Sequence, residues 1–132
     1  MHVLDNPVWH ALTGPQQKVA DLRPAAARYE PDVAPFAAVP DTPTNETWSD
    51  LRDLVGPGGA AVLFVEPPGV PDGWEQLFSI PTAQMLARTV EPATADAAGL
   101  LGPDDVDDML ALVGRTHPGP FERRTIELGE YI

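Results

Sequence analysis

Sixteen of the 132 residues are proline and eleven more are glycine. Proline locks its own φ, carries no amide hydrogen and pushes the residue before it out of the helical region. A chain with this many prolines must therefore be built from short, heavily punctuated elements.

Between the breaks, apolar spacing predicts a mixture of helices and strands. Asn6-Pro7 predicts a helix start, with Asn6 accepting from first-turn amides and Pro7 at the first helical position. Val8, Trp9, Ala11 and Leu12 supply its apolar face, and Thr13-Gly14-Pro15 ends it. A second helix is expected over Gln16 to Leu22, where Val19 and Leu22 lie three apart and Arg23-Pro24 closes the run. Phe36 to Val39 is expected to be a short strand. Trp48, Leu51, Leu54 and Val55 predict a helix from about Glu46 to Val55, terminated by Gly56-Pro57-Gly58-Gly59. The unbroken apolar run Ala60 to Val65 predicts a strand buried on both faces. Trp74 to Ile80 and Gln84 to Val90 are two further expected strands, joined through Pro81 and Thr82. Glu91 to Ala97 has no apolar periodicity and is expected to be a linker.

Beyond it, Leu100-Leu101 is expected to end a strand. Gly102-Pro103 then opens the best-specified helix, with Val106, Met109, Leu110 and Val113 on one face. Phe121 to Tyr131 is expected to form a short helix carrying Ile126, Leu128 and Tyr131 as apolar positions. The fold class is α/β or α+β: a small mixed sheet flanked by short helices.

Composition excludes several functions. Eight Lys and Arg against 20 Asp and Glu leave a net charge of −12, which repels nucleic-acid backbones and anionic lipid surfaces. No cysteine is present, so disulfides and thiolate chemistry are excluded. The N-terminus has no basic segment leading into an apolar stretch, and no run approaches a membrane span. A soluble cytoplasmic chain is expected.

Few residues suggest chemistry. Asp104, Asp105, Asp107 and Asp108 crowd the start of one helix, where the macrodipole favours negative charge, and they lack the glycine turn of a calcium loop. His2, His10 and His117 form no metal-ligand spacing, and Ser49 and Ser79 lie in no nucleophile context. No metal site is expected. Arg52 to Gly58 is glycine-rich, but it leads out of a helix C-terminus, which presents carbonyls rather than amides to a phosphate. Glu127 and Tyr131 lie four apart. On a helix they share a face, either as a base and acid pair suited to amine acylation or as an amphipathic helix with Tyr131 packed inward.

Several whole segments resemble a group of bacterial acetyltransferases of the GNAT superfamily. These are Leu4-Asp5-Asn6-Pro7-Val8-Trp9-His10-Ala11-Leu12-Thr13-Gly14-Pro15, Tyr29-x-Pro31-Asp32-Val33-Ala34-Pro35-Phe36-Ala37, Leu110 to Val113 with Thr116-x-Pro118-Gly119-Pro120-Phe121, and Glu127-Leu128-Gly129-x-Tyr131. The resemblance implies a partial acetyltransferase-like (GNAT) fold. Residues 1–92 would be an N-terminal lobe, and residues 93–132 the first strand and helices of a second lobe that stops before its cofactor loop. It implies acetyl transfer from acetyl-CoA to a small-molecule or peptide amine. It also implies Phe121, Arg124, Glu127 and Tyr131 as acceptor-side contacts. The family's Gln/Arg-x-x-Gly-x-Gly/Ala loop, whose amides wrap the pyrophosphate, has no counterpart in the 132 residues. No acetyl-CoA binding or activity is therefore expected of this chain alone, and no catalytic residue is assigned. A homodimer, a swap of residues 93–132 between copies, or a partner bearing the missing half would complete it. A non-catalytic acidic interaction domain is the alternative.

Overall fold

Strand pairing around an alanine-rich centre organises the fold. The computed structural model describes residues 2–65, 69–91 and 99–132. Helix α1 (Pro7–Leu12) leads through a 3-10 turn at Gln17–Val19 into strand β1 (Ala20–Arg23). Pro24 and Ala25 make a two-residue turn into β2 (Ala26–Tyr29), which pairs antiparallel with β1 and with the short β3 (Ala37–Ala38). The sheet order is β1-β2-β3. Helix α2 (Asn45–Val55) follows, and α3 (Val106–Thr116) comes late in the chain.

Successive strand residues face opposite sides of the sheet. Ala27, Tyr29 and Ala38 join Leu12, Val19, Val33 and Ala34 in one buried cluster, against which Val8 and Trp9 of α1 pack. Ala26, Ala37 and Val39 join Leu51 and Leu54 of α2 in a second cluster on the other side. The sheet is thus covered on both faces, and its four buried alanines let the two helices approach closely. Asn45–Val55 forms as its spacing predicts. Thr44 accepts from the Thr47 amide at 3.4 Å, and the Thr47 hydroxyl accepts from the Thr44 amide at 3.0 Å. Gly56, at φ 75°, caps its C-terminus in a conformation that favours glycine.

Five expectations are corrected. Gln16 to Leu22 is not a helix: one 3-10 turn gives way at Ala20 to a strand, because pairing with Ala26–Tyr29 satisfies the backbone that a single apolar pair could not hold helical. Asn6 does not cap α1. It is buried, and its side-chain amide donates to the Val39 carbonyl at 2.8 Å and to Asp41 Oδ1 at 3.0 Å. Ala60 to Val65 is not a doubly buried strand: Val62 makes one parallel bridge to Phe36, while Ala61, Leu63 and Val65 lean on the α2 cluster. Phe64 stays partly exposed against the edge of Phe36, with ring centroids 5.0 Å apart. Trp74 to Ile80 and Gln84 to Val90 are not strands: they pair with no neighbour among the described residues. Finally, Phe121 to Tyr131 holds only one helical turn, Thr125–Leu128. The expected linker falls largely in residues 92–98, outside the described residues. No helix among the described residues is long and apolar enough to cross a membrane.

Candidate functional site

The four residues singled out from the sequence all lie on the segment that follows α3, and local chemistry sets its path. Gly102 N donates to Asp105 Oδ2 at 2.7 Å, closing a 3-10 turn (Pro103–Asp105) that leads into α3. Val106 is buried and anchors the helix. At the other end His117 adopts a left-handed conformation, φ 47°, and its amide donates to the Val113 carbonyl at 2.8 Å. Pro118-Gly119-Pro120 then turns the chain back. Leu101 N donates to the Tyr131 carbonyl at 2.8 Å, so the entry to α3 and the end of the chain run side by side.

Phe121 and Tyr131 are brought together: their rings meet edge to face, centroids 5.7 Å apart. The Tyr131 hydroxyl donates to the Thr125 carbonyl at 3.2 Å. Tyr131 lies beyond the Thr125–Leu128 turn, so it does not share a helix face with Glu127, which corrects the four-apart expectation.

Arg124 sits at the centre of an acidic cluster. Its Nε and Nη2 donate to the two oxygens of Glu127, at 2.6 and 3.0 Å, in the fork geometry that suits a carboxylate. Its Nη1 pairs with Glu30 and, at 3.3 Å, with Asp32. Donating hydrogen bonds to the Glu127 and Glu30 carboxylates raises the guanidinium above its ordinary range. The reciprocal effect holds Glu127 below the usual carboxylate range, chiefly through the Arg124 hydrogen bond, against an opposing contribution from desolvation. Glu127 is thus a fixed carboxylate rather than a ready proton acceptor. Glu30 and Asp32 carried no sequence signal: they lie more than ninety residues from Arg124, and only folding joins them.

Beneath this cluster Thr125 is buried. Its hydroxyl donates to the Val33 carbonyl at 2.6 Å and accepts from the Glu122 amide at 2.7 Å. Arg124 N donates to the Asp32 carbonyl at 2.8 Å, and Leu128 packs on the α1 side of the core. This turn therefore clamps the late segment onto the loop after β2.

An open cleft of about 360 Å³ lies between Leu100–Pro103 and Ile126–Glu130. Leu100, Leu101, Pro103 and Ile126 give it apolar walls, and Glu127 and Glu130 give it a negative rim. Of the four sequence-derived candidates only Glu127 lines it. Glu130 and Ile126 were missed as lining residues, since neither stands in a motif. A depression of about 280 Å³ between β1 and α2 is lined by Asp21, Arg23, Arg28 and Asp53. Arg28 pairs there with Asp21 at 2.9 Å, and none of the candidates reaches it.

The Gly56–Gly59 loop does not fit a pyrophosphate. Gly56 N donates to the Arg52 carbonyl and Gly59 N to the Gly56 carbonyl, so two of its amides are already used. A Cβ at Gly59 would strike the Val55 carbonyl oxygen, so this glycine serves the tight end of α2. Among the described residues, no group of three or more His, Asp or Glu is placed to hold a metal ion.

This architecture is that of the GNAT superfamily. A crystal structure from Novosphingobium aromaticivorans DSM 12444, assigned to the GNAT family of acetyltransferases, superposes with a TM-score of 0.76 at 27% sequence identity over 98% of this chain. The chain shares the fold of that structure, and it spans 58% of the length of that protein. No protein-family model matches the sequence, and no curated protein matches it.

Proposed function

We propose that this chain is the acceptor-side portion of an N-acetyltransferase that moves an acetyl group from acetyl-CoA to an amine. The observation that carries the reading is the superposition on the Novosphingobium structure across 98% of the chain. In this reading residues 1–92 are a first lobe and residues 93–132 open a second. The cleft beside Leu101 and Ile126 receives the amine. Glu127, kept ionised by Arg124, and Glu130 attract the ammonium form, and the apolar walls accommodate its carbon skeleton. Phe121 and Tyr131 pack edge to face, and Tyr131 is bridged to Leu101, so the pair supports the cleft without lining it. Arg124 acts through Glu127 and is a positioning residue. Acetyl-CoA would supply the thioester, held by residues other than the Gly56–Gly59 loop, which is unsuited to its phosphates.

Thermal unfolding with and without acetyl-CoA tests the reading. A ligand at about 100 times its dissociation constant stabilises a native protein by about 2.7 kcal/mol. We expect no dose-dependent shift for this chain up to millimolar acetyl-CoA. We expect a shift, and amine-dependent release of coenzyme A, from a fusion of this chain to the part of the Novosphingobium protein it does not match. A clear shift with this chain alone would overturn the acceptor-side assignment. A folded fusion that binds acetyl-CoA but acetylates no amine would overturn the reaction.

A further inference from the structure

Arg124 is shared between two parts of the chain. Its Nε and Nη2 donate to the two oxygens of Glu127, at 2.6 and 3.0 Å, on the same short turn. Its Nη1 donates the other way, to Glu30 and, at 3.3 Å, to Asp32 Oδ1, both on the loop after β2. One edge of a rigid, planar guanidinium thus meets a carboxylate that lines the cleft, while the opposite corner is pinned by a residue 94 positions away in sequence.

Fastening the late segment does not require that third donor. Arg124 N already donates to the Asp32 carbonyl at 2.8 Å, and the Thr125 hydroxyl donates to the Val33 carbonyl at 2.6 Å. Leu128 adds an apolar anchor on the core. These contacts fix the backbone of the turn and leave the long Arg124 side chain to be aimed by something else. That side chain is 33% exposed, and an ion pair between near neighbours in such a setting is weak, because water competes and several rotamers stay open. A second anchor on Nη1 removes those rotamers. Glu30 is the better placed of the two: its side chain is 32% exposed, against 56% for Asp32.

We propose that Glu30 is a positioning residue of the cleft: it pins Arg124 so that the guanidinium holds the Glu127 carboxylate in one orientation on the cleft rim. In this role, which rests on the acceptor-side reading, the first lobe sets how the cleft presents its charge to an ammonium group. A carboxylate already fixed in direction has less rotamer freedom to lose when a ligand binds. The charged groups around Glu127 are Arg124 on its own turn, Glu30 and Asp32 on the loop after β2, and Lys18 on the 3-10 turn before β1. Glu30 acts on Arg124, whereas Arg124 and Lys18 act on Glu127. Positioning and simple charge therefore move Glu127 in opposite directions. Deleting a nearby negative charge makes a carboxylate easier to ionise, and loosening its guanidinium partner makes it harder.

Nuclear magnetic resonance on the full chain reads both ends of this relay: the solvent exchange of the Arg124 Nε proton and the pH midpoint of the Glu127 carboxyl carbon. Glu30→Ala is expected to speed the Nε exchange about threefold, the factor an exposed ion pair is worth. It is also expected to move the Glu127 midpoint up toward the ordinary glutamate value. The Arg124 backbone amide should keep its protection, since its acceptor is the Asp32 carbonyl. Glu30→Gln, which keeps an oxygen for Nη1, should fall between Glu30→Ala and the unaltered chain. Asp53→Ala removes an exposed carboxylate on α2 and should change neither readout. Four results would each overturn the proposal. These are a Glu127 midpoint that falls or stays in place in Glu30→Ala, an unchanged Nε proton, the same changes in Asp53→Ala, or an equal loss of protection at the Arg124 backbone amide. The last would make Glu30 a plain fastener of the segment. Neither readout involves acetyl-CoA or an amine, so failure here is separate from failure of the acetyltransferase reading.

Discussion

Replacing Thr125 by Val isolates the contact that holds the late segment to the first. The two side chains have nearly the same shape, so packing is conserved and only hydrogen bonding changes. Thr125 is 8% exposed, and Val33, whose carbonyl accepts from it at 2.6 Å, is fully buried. The Val33 carbonyl accepts no other hydrogen bond among the described residues. Valine therefore removes one buried hydrogen bond, worth about 1 kcal/mol net, and orphans a carbonyl at a cost of about 1–3 kcal/mol. The Glu122 amide, which loses its acceptor, is only partly buried and regains water. The expected destabilisation is about 2 kcal/mol. With an unfolding entropy of about 2.1 cal/mol/K per residue, this 132-residue chain should melt about 7 °C lower. Differential scanning calorimetry reads the midpoint. Hydrogen exchange reads the Arg124 amide, which donates to the Asp32 carbonyl. Thr125→Ser, which keeps the hydroxyl, should recover most of the loss. A valine variant with an unchanged midpoint and unchanged protection of the Arg124 amide would refute the reasoning.

Three further outcomes are expected. Asn6→Ala removes the donor to the Val39 carbonyl and should cost about 2 kcal/mol in denaturant titration. Gly56→Ala meets no atom within 4 Å but places a Cβ at φ 75°, so it should cost about 1 kcal/mol through backbone strain alone, again by denaturant titration. Stability should fall at both ends of a pH series followed by thermal melting. Glu127 is depressed in the fold, so its contribution is complete above the unfolded glutamate value near roughly 4.3 and is lost as pH falls through the lower native value. Burial raises the Tyr29 phenol, so its contribution is complete below roughly pH 10 and is lost as pH rises through the higher native value. Glu127→Gln should flatten part of the acid limb and Tyr29→Phe part of the alkaline one.

Periodicity was a good guide where one face meets one core. Asn45–Val55 and the helix opened by Pro103 both stand where their apolar spacing put them. It failed where the partner is remote. Ala26–Tyr29, at the centre of the sheet, reads Ala-Ala-Arg-Tyr and carries almost no strand preference of its own. It is a strand because β1 and β3 supply hydrogen bonds on both edges and two helices need small residues between them. The stretch from Trp74 to Val90 shows the reverse: the sequence pattern suits strands, but no neighbour among the described residues pairs with it.

The candidate site divides in the same way. That Phe121, Arg124, Glu127 and Tyr131 belong to one neighbourhood was legible, because all four stand within eleven residues and several segments resemble one superfamily. What Arg124 does there was not, because Glu30 and Asp32 reach it across more than ninety residues. The sequence by itself determined short elements through its prolines, an acidic surface through its composition, and amphipathic α2 and α3 through their spacing. Only tertiary structure decided that alanines form the central strand, that Asn6 serves a distant carbonyl rather than its own helix, and that Arg124 meets Glu30 and Asp32. Each of these depends on hydrogen bonds and charges contributed by residues far along the chain, and a local pattern carries no information about such partners.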